Sequence, residues 1–140
     1  QATGGAYLHP NIADTSVTLL SFKNNIKAHI FVSWLHPFKD HKLVVVGKNA
    51  MITFDDTALS EKKLTLYKHE ALWSNEIPIV HKAKGESIAY DFSKEPLKTE
   101  CQSFLSWIQK EVIPPSNVEE GLRVLKVLNL AQRNLKEGNL

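Results

Sequence analysis

The chain has 140 residues, 43% of them hydrophobic and 23% charged, with a formal net charge of +2. That balance argues against intrinsic disorder and fits a single folded domain over residues 1–140 with its own core. A net charge so small, carried on scattered lysines, argues against a nucleic-acid partner, and no apolar run approaches the roughly 20 residues that cross a bilayer.

The only methionine is Met51, so the chain is expected to be a piece of something longer, opening in mid-strand at Gln1 to Tyr7. A loop follows at Leu8 to Asp14, with Pro10 and Asn11 as breakers. Thr15 to Lys23 and Ile26 to Leu35 then read as two β-branched, apolar strands. Asn24 and Asn25 alone separate them, and both tolerate positive φ, which predicts a tight hairpin. In that hairpin Lys23 faces Ile26, Leu19 pairs with Ile30, Val17 with Val32, and Thr15 with Trp34. One face would then be apolar throughout (Val17, Leu19, Ile26, Ala28, Ile30, Val32, Trp34). The other would mix Leu20, Phe22, Phe31 and Leu35 with polar residues. Such a half-apolar second face suggests an oligomer contact.

Ser33 to Lys42 is the densest polar-aromatic stretch: Trp34, His36, Lys39, His41 and Lys42 surround Pro37 on one strand connection. Binding groups favour such loops on rigid strands. Leu43 to Val46 shows no alternation, so both its faces are expected to be buried. Gly47 to Ala50 is a turn, Met51 to Asp55 its returning strand, and Asp55-Asp56 a solvated turn start. Leu64 to Tyr67 is a short strand. His69 to Lys82 is ambiguous, with Pro78 suggesting an edge. Glu86 to Phe92 alternates, with Ile88, Tyr90 and Phe92 on one side.

Two helices close the chain. The first opens at Pro96, and its apolar positions run from Leu97 through Cys101 to Val112, which places Cys101 in the core. Ser116 to Glu119 looks like a capping box for the second. Leu122, Val124, Leu125, Val127, Leu128, Leu130, Ala131 and Leu135 form a wide arc that predicts deep burial. Strands first and helices after give an α+β fold, a mostly antiparallel open sheet with helices on one face.

No arrangement of the six glycines forms a dinucleotide or P-loop cradle. The six histidines lack the close pairing or cysteine company of a zinc site, so no metal is expected. Cys101 cannot form an intramolecular disulfide, which fits a reducing, cytoplasmic compartment. From the residues alone, ligand binding falls to Trp34, His36, Lys39 and His41, with His9 and Asn11 joining them if their loop lies at the same end of the sheet.

Gly4-Gly5-Ala6-Tyr7-Leu8-His9-Pro10-Asn11-Ile12-Ala13-Asp14 resembles a segment of the Gfo/Idh/MocA oxidoreductases, in the branch acting on UDP-N-acetylglucosamine-type sugar nucleotides. Ser33-Trp34-Leu35-x-Pro37-x-Lys39, Val45-Val46-Gly47 and Phe54-Asp55-Asp56 are similar to the same branch. So are Glu95-Pro96-Leu97 with Glu100-Cys101 and Phe104-Leu105, and Glu120-Gly121-Leu122 with Val124-Leu125 and Val127-Leu128. His36 and His41 stand where similar sequences often carry an acid and an Arg. The resemblance implies a C-terminal substrate-wall and assembly domain, homodimeric or tetrameric through its open sheet face. It implies a nucleotide-sugar substrate met by Trp34, His36, Lys39, His41, His9 and Asn11. NAD(P) and the catalytic residues would lie in a Rossmann domain outside this chain, with none here. A non-catalytic binding or assembly module is the alternative.

Overall fold

The computed structural model describes residues 1–91, 93–109 and 112–138. The chain is α+β, with antiparallel sheets followed by two helices. Its contacts divide into two units, Gln1–Pro37 with Glu100–Leu140, and Phe38–Thr99.

In the first unit, β1 (Ala2–Gly5), β2 (Thr15–Ser21) and β3 (Lys27–Ser33) form a sheet in that order. Asn24 and Asn25 each take φ 59°, as the expected tight turn requires. The register nevertheless differs from expectation by one residue: Leu19 opposes His29, Val17 opposes Phe31, and Thr15 opposes Ser33. The cause sits beside the turn. The Phe22 N–H donates to the Ile26 carbonyl (2.9 Å) while the Ile26 N–H reaches the Lys23 carbonyl (3.5 Å). Two residues therefore oppose one, which is a β-bulge, and a one-residue slip reassigns every cross-strand pair. The expected all-apolar face does not form. Val17, Leu19 and Phe31 share their face with Lys27 and His29, while Leu20, Ala28, Ile30 and Val32 share theirs with Ser16 and Thr18. Trp34, expected on the core side, lies past the strand end and is 79% exposed.

α1 (Pro96–Ile108) starts at its proline as expected and ends before Val112, with Phe104 and Trp107 meeting edge to face at 6.4 Å. Cys101 is exposed rather than in the core. α2 (Val118–Glu137) is capped by Asn117, whose Oδ1 accepts the Glu120 N–H at 3.1 Å, one residue later than the expected box. Leu135 is the buried residue of this helix, seated over β1. A Cβ on Gly4 would stand 2.5 Å from the Thr15 carbonyl oxygen and 3.1 Å from Leu135 Cδ2, so this approach requires glycine. Of the rest of the arc, Ala131 is half-buried, and Leu122, Val124, Leu125, Val127, Leu128 and Leu130 are exposed, against the expectation of deep burial. An amphipathic pattern states that a face needs cover; it does not supply the cover.

In the second unit, β4 (Lys42–Val46), β5 (Ala50–Asp55), β6 (Leu64–Ser74) and β7 (Ile77–Lys82) run antiparallel in sequence order, and β8 (Glu86–Ser87) also pairs with β6. The Gly47 turn closes as expected, its N–H donating to the Ala50 carbonyl at 2.8 Å. β4 is an edge strand, and Leu43 to Val46 are exposed rather than buried on both faces. The ambiguous 69–82 stretch is a hairpin turning on Asn75 and Glu76, with Pro78 on the edge strand where its missing N–H costs no pairing inside the sheet. The expected alternation of 86–92 yields only the short β8, and Phe92 lies outside the described residues.

Candidate functional site

The six candidate residues divide between the units, with Trp34, His36, His9 and Asn11 in the first and Lys39 and His41 in the second.

Asp14 organises the first group. Gly5, Thr15 and Ser33 form one row across β1, β2 and β3, so the 6–13 loop and Trp34 leave the same end of the sheet. There the Asp14 N–H donates to the Gly5 carbonyl (3.0 Å), and its own carbonyl accepts the Trp34 N–H (2.8 Å). Its Oδ2 accepts the N–H groups of Tyr7 (2.7 Å) and Leu8 (2.8 Å). Asp14 is 4% exposed, and its Oδ1 has no hydrogen-bond partner among the described residues. Beside it Thr15 Oγ1 and Ser33 Oγ share a 2.7 Å bond, and the Leu35 N–H donates to that Ser33 oxygen at 3.1 Å. One buried carboxylate thus ties the loop bearing His9 and Asn11 to the strand end bearing Trp34.

Within that loop the Ile12 N–H donates to the His9 carbonyl (3.3 Å), with Pro10 and Asn11 as the central residues and Asn11 at φ 69°. Pro followed by a positive-φ Asn is the type II pattern, so the turn itself accounts for Asn11. His9 Nδ1–H donates to the Pro10 carbonyl at 2.7 Å, leaving Nε2 as its second polar atom. The His36 ring stands edge-on to Phe31 at 6.4 Å. Four of the six residues therefore lie at one end of one sheet.

Lys39 and His41 converge instead on Asp56. Lys39 Nζ and His41 Nδ1 each lie 3.4 Å from Asp56 Oδ2, and Lys63 Nζ lies 3.0 Å from Oδ1. Next to this, Asp55 Oδ2 pairs with Lys42 Nζ at 3.2 Å, and its Oδ1 accepts both the N–H (3.0 Å) and the hydroxyl (2.6 Å) of Thr57. The second contact is an Asx turn, which supports the turn expected at Asp55. Lys63 first, then His41 and Lys39, hold the Asp56 carboxyl down at about 2, and the Thr57 hydroxyl first, then Lys42, hold Asp55 down at about 2. The Asp55 carboxylate correspondingly raises the Lys42 ammonium. Three lysines (Lys39, Lys42, Lys63) thus meet three aspartates (Asp40, Asp55, Asp56), Asp40 acting through its charge on Lys42. With neutral His41 the cluster carries no standing positive charge, and a phosphate reaching Lys39 competes with Asp56.

No group of three His, Cys, Asp or Glu side chains converges among the described residues. A helix N-terminus is a ready seat for a diphosphate; here α1 opens on a proline, and the first turn of α2 carries Glu119 and Glu120, of the same sign as such a ligand.

Comparison with family models, with curated proteins and with solved structures finds no match to this chain. Its reading rests on its own residues. Sequence patterning missed Asp14 and Asp56 as organising groups. The available signal was an Asp directly ahead of a β-branched run, and a second Asp after a strand end that faces a Lys-rich loop.

Proposed function

We propose that this chain is the substrate-wall and assembly part of an NAD-dependent oxidoreductase acting on a nucleotide sugar, with the hydride chemistry and NAD(P) supplied outside it. The observation that carries the reading is that Asp14 ties the loop bearing His9 and Asn11 to the strand end that leads into Trp34 and His36, at one end of the first sheet. An exposed Trp face stacks on a sugar or base, and imidazole and amide groups exchange hydrogen bonds with hydroxyls. In the second unit, taken by itself, Lys39 is the candidate charge for a phosphate, its 3.4 Å contact with Asp56 lying on an exposed side chain. The exposed apolar strands and helices support assembly into a homodimer or tetramer, in a reducing compartment such as the cytoplasm.

The test is a titration of UDP-N-acetylglucosamine against the chain and its Lys39→Ala variant. Binding is expected to weaken several-fold in the variant, since one charge-assisted contact is worth roughly 1.5–3 kcal/mol and exposure reduces it. Equal binding by both proteins removes Lys39 from the site.

A non-catalytic assembly module is the second reading, favoured by the charge balance around Asp55 and Asp56. It expects no UDP-sugar binding at all, together with loss of assembly in Phe31→Glu. Among the described residues no helix is long and apolar enough to cross a membrane.

A further inference from the structure

The second unit carries a cavity that none of these groups uses. Val46, Met51 and Tyr67 stand opposite one another across β4, β5 and β6 and so share a face. His69, two residues beyond Tyr67, lies on the same face opposite Lys82, and Val80 joins it two residues from Lys82. With Ala83 these residues line a cavity of about 400 Å³, inside the usual range of roughly 300–1,000 Å³ for small-molecule sites. The chain beyond β7 walls one side. The Ala83 N–H donates to the Lys68 carbonyl at 2.9 Å, and a Cβ on Gly85 would lie 2.7 Å from Tyr67 Cε1 and 2.8 Å from Thr65 Cγ2. Only glycine passes that closely over the ring.

The polar groups of this face select the ligand. Lys68 points to the other face, where its ammonium holds both oxygens of Glu86 at 3.0 and 3.1 Å. Glu70 and His81 face each other there too, being one residue out of phase with His69 and Lys82. His69 Nε2–H donates to the Gly47 carbonyl at 3.0 Å, which fixes the ring and leaves Nδ1 as an acceptor. Lys68 also borders the cavity, but its ammonium is taken by Glu86, so among the described residues Lys82 is the lining ammonium left to pair a ligand, above an apolar floor.

We propose that this cavity binds a small amphipathic carboxylate, its apolar body on Val46, Met51, Tyr67 and Val80 and its carboxylate on Lys82. A cation would meet Lys82 with like sign, and a neutral apolar ligand would cover an ammonium without pairing it. A phosphate dianion would find one lysine and neither an arginine fork nor a helix N-terminus to hold it.

The experiment is a titration of the chain with 2-naphthoate, followed by the methyl resonances of Met51, Val46 and Val80, with acetate and 2-naphthylmethanol as comparators. Saturable shifts at those methyls are expected with naphthoate, at least tenfold weaker with either comparator. Lys82→Ala should weaken naphthoate about tenfold and leave the alcohol unchanged. Lys82→Gln, which keeps the stem, should behave as Lys82→Ala does, so that lost packing is separated from lost charge. Gly85→Ala should weaken both aromatic probes by displacing the Tyr67 ring. Equal naphthoate binding with and without the Lys82 charge overturns the assignment, as does an absence of shifts at Met51. Binding that weakens as protein concentration rises assigns the face to a second copy of the chain, and overturns it too.

Discussion

A buried carboxylate that accepts two backbone N–H groups is worth more to a loop than any side chain the loop displays. Asp14 holds Tyr7 and Leu8 through Oδ2 and receives Trp34 on its carbonyl. Asp14→Ala removes the two side-chain bonds and leaves both N–H groups to find water, a cost of about 2–4 kcal/mol at roughly 1.5–3 kcal/mol for a bond to a charged group, less what water recovers. Asp14→Asn keeps an acceptor oxygen and should cost less than half as much. Urea unfolding of the two variants checks the order, and equal losses would place the stabilisation in the charge rather than in the loop bonds.

Asp55 and Asp56 belong to the same scale. Each is held at about 2 against an ordinary value of 3.8, so the folded chain binds fewer protons than the unfolded chain between those values. Stability from these pairs is therefore complete above about pH 4 and is lost as pH falls towards 2. In Asp55→Asn/Asp56→Asn the urea midpoint should flatten across that window, Asp91, lowered by Ser93, leaving a smaller slope. An unchanged acid limb would mean that the ion pairs form equally in the unfolded chain.

At the scale of elements, turn chemistry decides what patterning leaves open. Asn75 and Glu76 sit at φ 50° and 64° between Ser74 and Ile77, the arrangement that favours Asn-Gly. Glutamate at the second position bears a left-handed cost of roughly 1–2 kcal/mol, part of which glycine returns through its larger unfolded-state entropy. Glu76→Gly should therefore stabilise by about 0.5–1 kcal/mol, read as a higher midpoint in thermal unfolding. A lower midpoint would show that the Glu76 side chain makes a contact worth more than the strain. The two hairpins also show what was legible. The positive-φ turn at Asn24-Asn25 could be read because two adjacent Asn residues have few other uses there. The bulge at Phe22-Lys23 could not, because it depends on whether the Ile26 carbonyl accepts the Phe22 or the Lys23 N–H, and both are open to the same sequence. One bond moved every pair from Ser21 to Thr15, and with them the expected core position of Trp34. Asp55 was readable as a turn residue from its own type. The convergence of Lys39, His41 and Lys63 on Asp56 was not, since it joins residues up to 17 apart through strand pairing.

At the scale of the molecule, the surface itself is the argument. Each unit exposes large apolar side chains: Leu43, Val45 and Val46 on the open edge of β4, Phe22, Ile26 and Phe31 on the first sheet, and most of the arc of α2. An edge strand with four aliphatic residues and Lys42 as its only charge is a template for pairing. Association should therefore grow with protein concentration in sedimentation equilibrium, strengthen with sulfate and weaken on cooling, as apolar burial does. Val45→Lys places a charge on the β4 edge, and Phe31→Glu places one on the first sheet. Each should shift the association by at least tenfold towards monomer, since burying an unpaired charge costs several kcal/mol. If only Val45→Lys acts, association runs through strand pairing at the edge; if only Phe31→Glu acts, it runs through the sheet face. A chain that stays monomeric at every concentration would mean that these surfaces are covered by a different partner, and would remove self-assembly from its function.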